Sequence, residues 1–189
     1  MTAYDNGPMA QHGLGPSTRR VAAMVRRYWY LLKGSWPRIL ELAYWPTMQV
    51  LLWGFVTKFF MTQSAWLAAA GGILLGGALL WDVMFRGQIG LSLCFLEEMW
   101  SRNLGHLFVS PLRPWEFVSA LITVSFLRTL FGMLVAAGIA YLLHRYALFD
   151  MGPALVAFFS LLMIMSWGVG LVIISMVLRF GLGAESLAW

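Results

Sequence analysis

Glu97 and Glu98 stand side by side, and paired carboxylates can share a metal or divide acid and base roles. On a helix, however, neighbouring side chains point about 100° apart, so these two cannot readily clasp one ion. The three histidines, His12, His106 and His144, fall in the N-terminal tail, in a loop and near the far end of an apolar run. Nothing in their spacing brings them together. Cys94 is the sole cysteine, which excludes an internal disulfide and a cysteine-built metal site. The sequence holds no H-E-x-x-H zinc motif, no G-x-S-x-G nucleophile elbow and no G-x-x-x-x-G-K-[ST] phosphate loop. No metal and no cofactor is therefore expected, and no nucleotide-hydrolysing motif is present.

Three charged positions lie inside apolar runs: Arg128, Asp82 and Glu41. Asp82 has Arg86 one turn later as a ready partner. Arg128 continues the small-residue series Gly132, Ala136 and Ala140 by one step of four. It should face protein or a cavity, since an arginine facing lipid costs at least ~2.5 kcal/mol on insertion scales. Asp82 is the first candidate partner for it and Glu41 the second. Each of the three can be read as part of a structural ion pair or as lining a substrate path.

These residues must be positioned by membrane-spanning helices. Of 189 residues, 60% are hydrophobic and only 11% charged, and the mean hydropathy is +0.75. A soluble domain is roughly 25% charged. A span needs about 20 apolar residues to cross ~30 Å of hydrocarbon. Four such segments are legible: Ile39 to Met61, with a kink expected at Pro46; Trp66 to about Phe85 or a turn or two beyond; Trp115 to Leu143; and Pro153 to Leu178. Leu187, Ala188 and Trp189 read as the start of a fifth. Residues 1–17 read as a loose tail without the apolar core of a signal peptide, and residues 18–189 as one all-α membrane domain. Ala68, Gly72 and Gly76 on the second span, like Gly132, Ala136 and Ala140 on the third, form small-residue stripes suited to close helix packing.

Thr18 to Trp36 differs from the spans. Arg19, Arg26 and Lys33 recur every seven residues, as do Arg20 and Arg27, so they are expected on one basic helical face. Val21, Met24, Val25, Tyr28, Leu31 and Leu32 fall opposite. That pattern predicts an amphipathic helix lying in the membrane surface. The net charge of +5 follows this placement. It suits lipid headgroups and topology control and gives no reason to expect nucleic acid. With the N-terminus inside, Arg19, Arg20, Arg26, Arg27, Lys33, Arg38, Arg86, Arg102, Arg113 and Arg179 all lie at the cytosolic side, and only Lys58 and Arg145 lie outside. The expected orientation is N-terminus in.

Between the second and third spans, Leu96, Trp100, Leu104, Leu107 and Phe108 follow helical spacing. Glu98 and Arg102 form an i,i+4 pair of the favoured polarity, and Ser110-Pro111 ends the run. One cytosolic helix, Leu96 to Val109, is the expectation. It serves either as a contact element or as an interfacial helix resting on lipid.

Trp81-Asp82, then Arg86-Gly87-Gln88, then FLEEMWSRNLGHLFVSPLRPWEFV (Phe95 to Val118), together with KGSWPRILELAYWPTMQVLLWGF (Lys33 to Phe55), resemble the ABC type-2 transporter permease family. The likeness covers about Thr18 to the C-terminus. It implies half of a bacterial inner-membrane exporter with six spans, paired with a second permease copy and with cytosolic ATPase subunits. By that resemblance the ATPase is met by the N-terminal surface helix and by Glu97, Glu98, Trp100, Arg102, Asn103 and Leu104. The family's substrates are amphipathic: polysaccharides, lipid-linked sugars and drugs. The chain departs from the pattern by stopping at the start of span five, as a fragment or a truncated product would. Two other readings compete: a non-transporting membrane adaptor, which the truncation favours, and a lipid-modifying membrane enzyme.

Overall fold

The computed structural model describes residues 14–63, 65–181, 183 and 186. Within them the chain is helical, with α1 (Leu14–Lys33), α2 (Trp36–Gln63), α3 (Ala65–Trp100), α4 (Leu104–Val109), α5 (Pro114–His144) and α6 (Pro153–Phe180). No strand occurs among the described residues. Among the described residues four helices are long and apolar enough to cross a bilayer: Trp36–Phe60, Ile73–Trp100, Pro114–His144 and Pro153–Phe180. This is the build of a membrane protein. The expected tail, residues 1–17, is shortened by α1, which already begins at Leu14. The expected fifth span at 187–189 lies outside the described residues.

Prolines set the starts of the two most apolar helices. Pro114 and Pro153 occupy the first turns of α5 and α6, where a missing N–H costs nothing and the fixed φ suits the helix. Pro46 sits inside α2 without ending it. Its ring removes the hydrogen bond that Leu42 O would accept from position 46. That carbonyl instead receives Arg86 Nη1 from α3, at 3.4 Å.

α3 is the central helix, packed against α2, α5 and α6, while α1 packs mainly on α5. The second span outruns its expected end, about Phe85 or a turn or two beyond: α3, 36 residues in all, runs to Trp100. That is ~54 Å at ~1.5 Å per residue, against ~30 Å of hydrocarbon. Gly87 and Gly90 admit close neighbours on this helix. Ser125 Oγ of α5 donates to Gly87 O at 2.8 Å, and the Ser166 side chain of α6 lies where a Gly87 Cβ would sit. Close approach from two sides keeps the helix whole.

Two apolar clusters result. One, at the α1 end, joins Met24 and Tyr28 to Leu91, Phe95, Leu121 and Ile173. The other, nearer the opposite end, gathers Val50, Leu79, Met133, Ala136, Ala140 and Met163. Gly132 lies under the Arg86 side chain, with a Cβ there meeting Arg86 Cδ at 3.3 Å. Gly76 faces the Tyr146 hydroxyl beyond α5, instead of a helix flank. Ala68 and Gly72 belong to α3, but their surroundings lie outside the described residues.

Candidate functional site

Two buried carboxylates organise the α1 end. Glu116 is the third residue of α5, where its charge suits the helix N-terminus and its Oε2 accepts from the Arg113 backbone N–H at 3.0 Å. Its side chain has no exposed surface. Arg20 of α1 grips it with both arms, Nε to Oε2 at 2.8 Å and Nη2 to Oε1 at 2.6 Å. Ser17 Oγ adds a third donor at 2.6 Å. Such a two-armed guanidinium–carboxylate fork fixes orientation as well as charge.

Glu98 is the second, at 2% exposure. Tyr28 O–H donates to Oε1 at 2.8 Å and Asn103 Nδ2 to Oε2 at 2.7 Å. Arg27 reaches both oxygens, at 2.8 and 3.1 Å. Burial, reinforced by the Glu98 carboxylate, pushes the Tyr28 hydroxyl well above its ordinary range. Arg20 and Arg27 are seven residues apart, about 10.5 Å along α1, so one helix face meets Glu116 and Glu98 together. The basic face expected to point outward is therefore divided. Arg19 and Arg26 are exposed, while Arg20 and Arg27 turn inward and pin the helix down.

This arrangement corrects the expected cytosolic helix Leu96 to Val109. The segment is broken after Trp100, and α4 is a separate helix starting at Leu104. Arg102 takes φ 54°, in the left-handed region. Arg102 N–H donates to Met99 O and Asn103 N–H to Glu98 O, both at 3.0 Å, which is the Schellman closure of a helix C-terminus. Arg102 therefore does not pair with Glu98, which already serves Arg27, Tyr28 and Asn103. Nor do the apolar residues form one stripe. Leu96 is buried, and Leu104 and Leu107 pack against the core, whereas Trp100, Phe108 and Val109 are exposed.

Of the residues expected to meet a partner, Glu98 is thus enclosed and Asn103 is occupied as its donor. Glu97 is partly exposed and pairs with Arg38 of α2 at 3.3 Å. Trp100 is 48% exposed and Val109 90%, so this end offers an apolar surface around the break between α3 and α4. His106 lies exposed on α4, and His144 is at the far end of α5 against Gly54, so these two do not converge. His12 lies outside the described residues.

Comparison with protein-family models, with curated proteins and with solved structures finds no match to this chain. The function must therefore be argued from its own residues.

Within the spans, Asp82 and Arg86 form the expected ion pair, Nε to Oδ2 at 2.6 Å. With Leu42 O and Gly132 they join α2, α3 and α5 at one point. Asp82 is thereby not the partner of Arg128. Arg128 is half-buried, and its Nη1 lies 3.4 Å from Cys94 Sγ. Among the described residues no carboxylate pairs with it. Glu41 is exposed on α2 and takes no part in these networks. The physical reason is reach: an arginine on α5 extends back toward its own helix N-terminus, away from Asp82 and toward the α1 end.

Residues that the sequence reading passed over hold the site together. Glu116 carried a legible signal, a proline at the first helical position with an acid two residues on. Its pairing with Arg20 carried none.

Proposed function

We propose that this chain is a permease subunit of an ATP-driven exporter, set in a bacterial inner membrane with its N-terminus in the cytosol. It moves an amphipathic substrate outward, of the class of polysaccharides, lipid-linked sugars or drug-like molecules. A separate cytosolic ATPase docks at the α1, α3 and α4 end. The observation that carries this reading is the construction of that end. α3 is much longer than a span requires, and two buried carboxylates clamp α1 to it and to α5. A rigid end can pass a push from a partner into the spans, whereas a loosely attached one would absorb it.

The exposed Trp100, Phe108 and Val109 supply the apolar anchors that docking needs. Glu97 and Arg102 supply charge at the rim. α1 is proposed to lie in the membrane surface beside this contact. Leu40, Tyr44, Met48, Leu52, Phe55 and Phe59 leave α2 with a continuous exposed apolar face. That face suits lipid and a second permease copy, in line with a homodimer.

Buried aromatic anchors dominate interface energies, and rim charges mostly tune encounter. Trp100→Ala is therefore expected to weaken the complex by about 2 kcal/mol or more, roughly thirtyfold. Glu97→Ala is expected to change it by less than ~1 kcal/mol. Co-purification of the ATP-hydrolysing subunit with the permease in detergent measures both. If Trp100→Ala leaves that complex intact and lowers only membrane retention, Trp100 is a lipid anchor and the docking reading fails.

A further inference from the structure

A cleft of about 890 Å³ lies between α1, α2 and α5, at the upper end of the range for small-molecule sites. Its walls are apolar, with Val21 and Val25 from α1, Leu42 from α2, and Val124 and Leu127 from α5. Four cations line it, Arg26, Lys33, Arg38 and Arg128, against a single carboxylate, Glu97. That carboxylate is already engaged by Arg38. Arg26, Lys33 and Arg128 form no ion pair among the described residues. Arg128 is the most telling of them. It is half-buried inside a span, and among the described residues it donates only to the Cys94 thiol, a weak acceptor. A guanidinium so placed is under-satisfied, and an anion at the cleft would complete it.

Apolar walls with surplus positive charge select for one chemistry, an anionic headgroup carrying a hydrocarbon chain. A soluble anion would leave the walls uncovered, and a zwitterionic lipid would leave the cations unbalanced. We propose that this cleft is a seat for an anionic phospholipid, its chain against Val21, Val25 and Leu127 and its phosphate held by Arg128 with Arg38 and Lys33. The seat rests on the membrane placement of the chain and not on the exporter reading, so it stands or falls separately from ATPase docking.

The test uses the full chain in phosphatidylcholine vesicles doped with phosphatidylglycerol bearing a photoactivatable acyl chain, with crosslinked lipid per protein as the readout. Arg128→Gln should lower crosslinking about tenfold, the loss of one charge-assisted hydrogen bond, and Arg19→Gln on the exposed face of α1 should change it by less than about twofold. Ala22→Trp, which fills the cleft while leaving every cation in place, should lower it as Arg128→Gln does. This second variant keeps the test decisive if Arg128→Gln does not fold. Equal losses from Arg19→Gln and Arg128→Gln would mean general attraction to a basic surface and would overturn the seat. So would an Ala22→Trp variant that crosslinks like the wild type, as it would if a second copy of the chain filled the cleft. Displacement of the label by inorganic phosphate would also overturn it, since the site would then hold an anion without its chain.

Discussion

Arg86→Leu is expected to destabilise the helix bundle by about 3–5 kcal/mol, the usual cost of removing one partner from a buried pair. Asp82 is only 7% exposed, and its Oδ2 depends on Arg86 Nε. The leucine would strand that carboxylate among apolar helices. It would also remove the donor that reaches Leu42 O, the carbonyl Pro46 leaves open on α2. Asp82→Leu alone strands the guanidinium instead. The double variant Arg86→Leu with Asp82→Leu should be milder than the sum of the two, because neither charge is then left behind. Unfolding of the purified protein in detergent, by heat or by denaturing detergent, gives the three values. Strict additivity would show that the pair does not act as a unit.

Glu98→Ala should release α1 from the rest of the molecule. The Tyr28 hydroxyl, on a side chain 5% exposed, would lose its acceptor, at a cost of about 1–3 kcal/mol. Asn103 would lose the bond that steadies the turn after Trp100. Arg27 contributes less, since its side chain is 38% exposed and water screens the pair. The readout is local: faster hydrogen exchange over Met24 to Lys33 and in the α4 segment, with the spans unchanged. Glu97→Ala, next door but partly exposed, should leave exchange in α1 as it was. If the two variants behave alike, Glu98 is not the clamp.

How much of this was legible depends on the range of the interaction. α5 and α6 begin within a residue of the expected positions, because Pro114 and Pro153 are local signals that act within one turn. The end of α3 was misread. Glycine is a poor helix former, and the neighbours that pack on Gly87 and Gly90, Ser125 and Ser166, lie far along the chain and out of local view. The real break, at Arg102, lacks the glycine that usually marks a left-handed helix end. The clamps were invisible for a plainer reason: Arg20 and Glu116 are 96 positions apart, and Arg27 and Glu98 are 71 apart. No periodicity within a segment encodes such pairings. The seven-residue spacing of Arg20 and Arg27 is legible, but it reads as the basic face of a membrane-surface helix because its acceptors are out of view. Arg128 stood out by its apolar setting, and the sequence named the wrong partner for it because side-chain direction along α5 decides the reach.

If the chain crosses the membrane four times with its N-terminus inside, as proposed, the α1, α3 and α4 end lies in the cytosol. A reporter enzyme active only outside the cytosol tests this most directly, fused after Arg113, just before α5, and after Asp150, between α5 and α6. A silent fusion at Arg113 and an active one at Asp150 are expected, in keeping with the placement of the basic residues. An active fusion at Arg113 with a silent one at Asp150 would overturn this orientation, and the surface proposed for docking around Trp100 would then face the wrong side of the membrane.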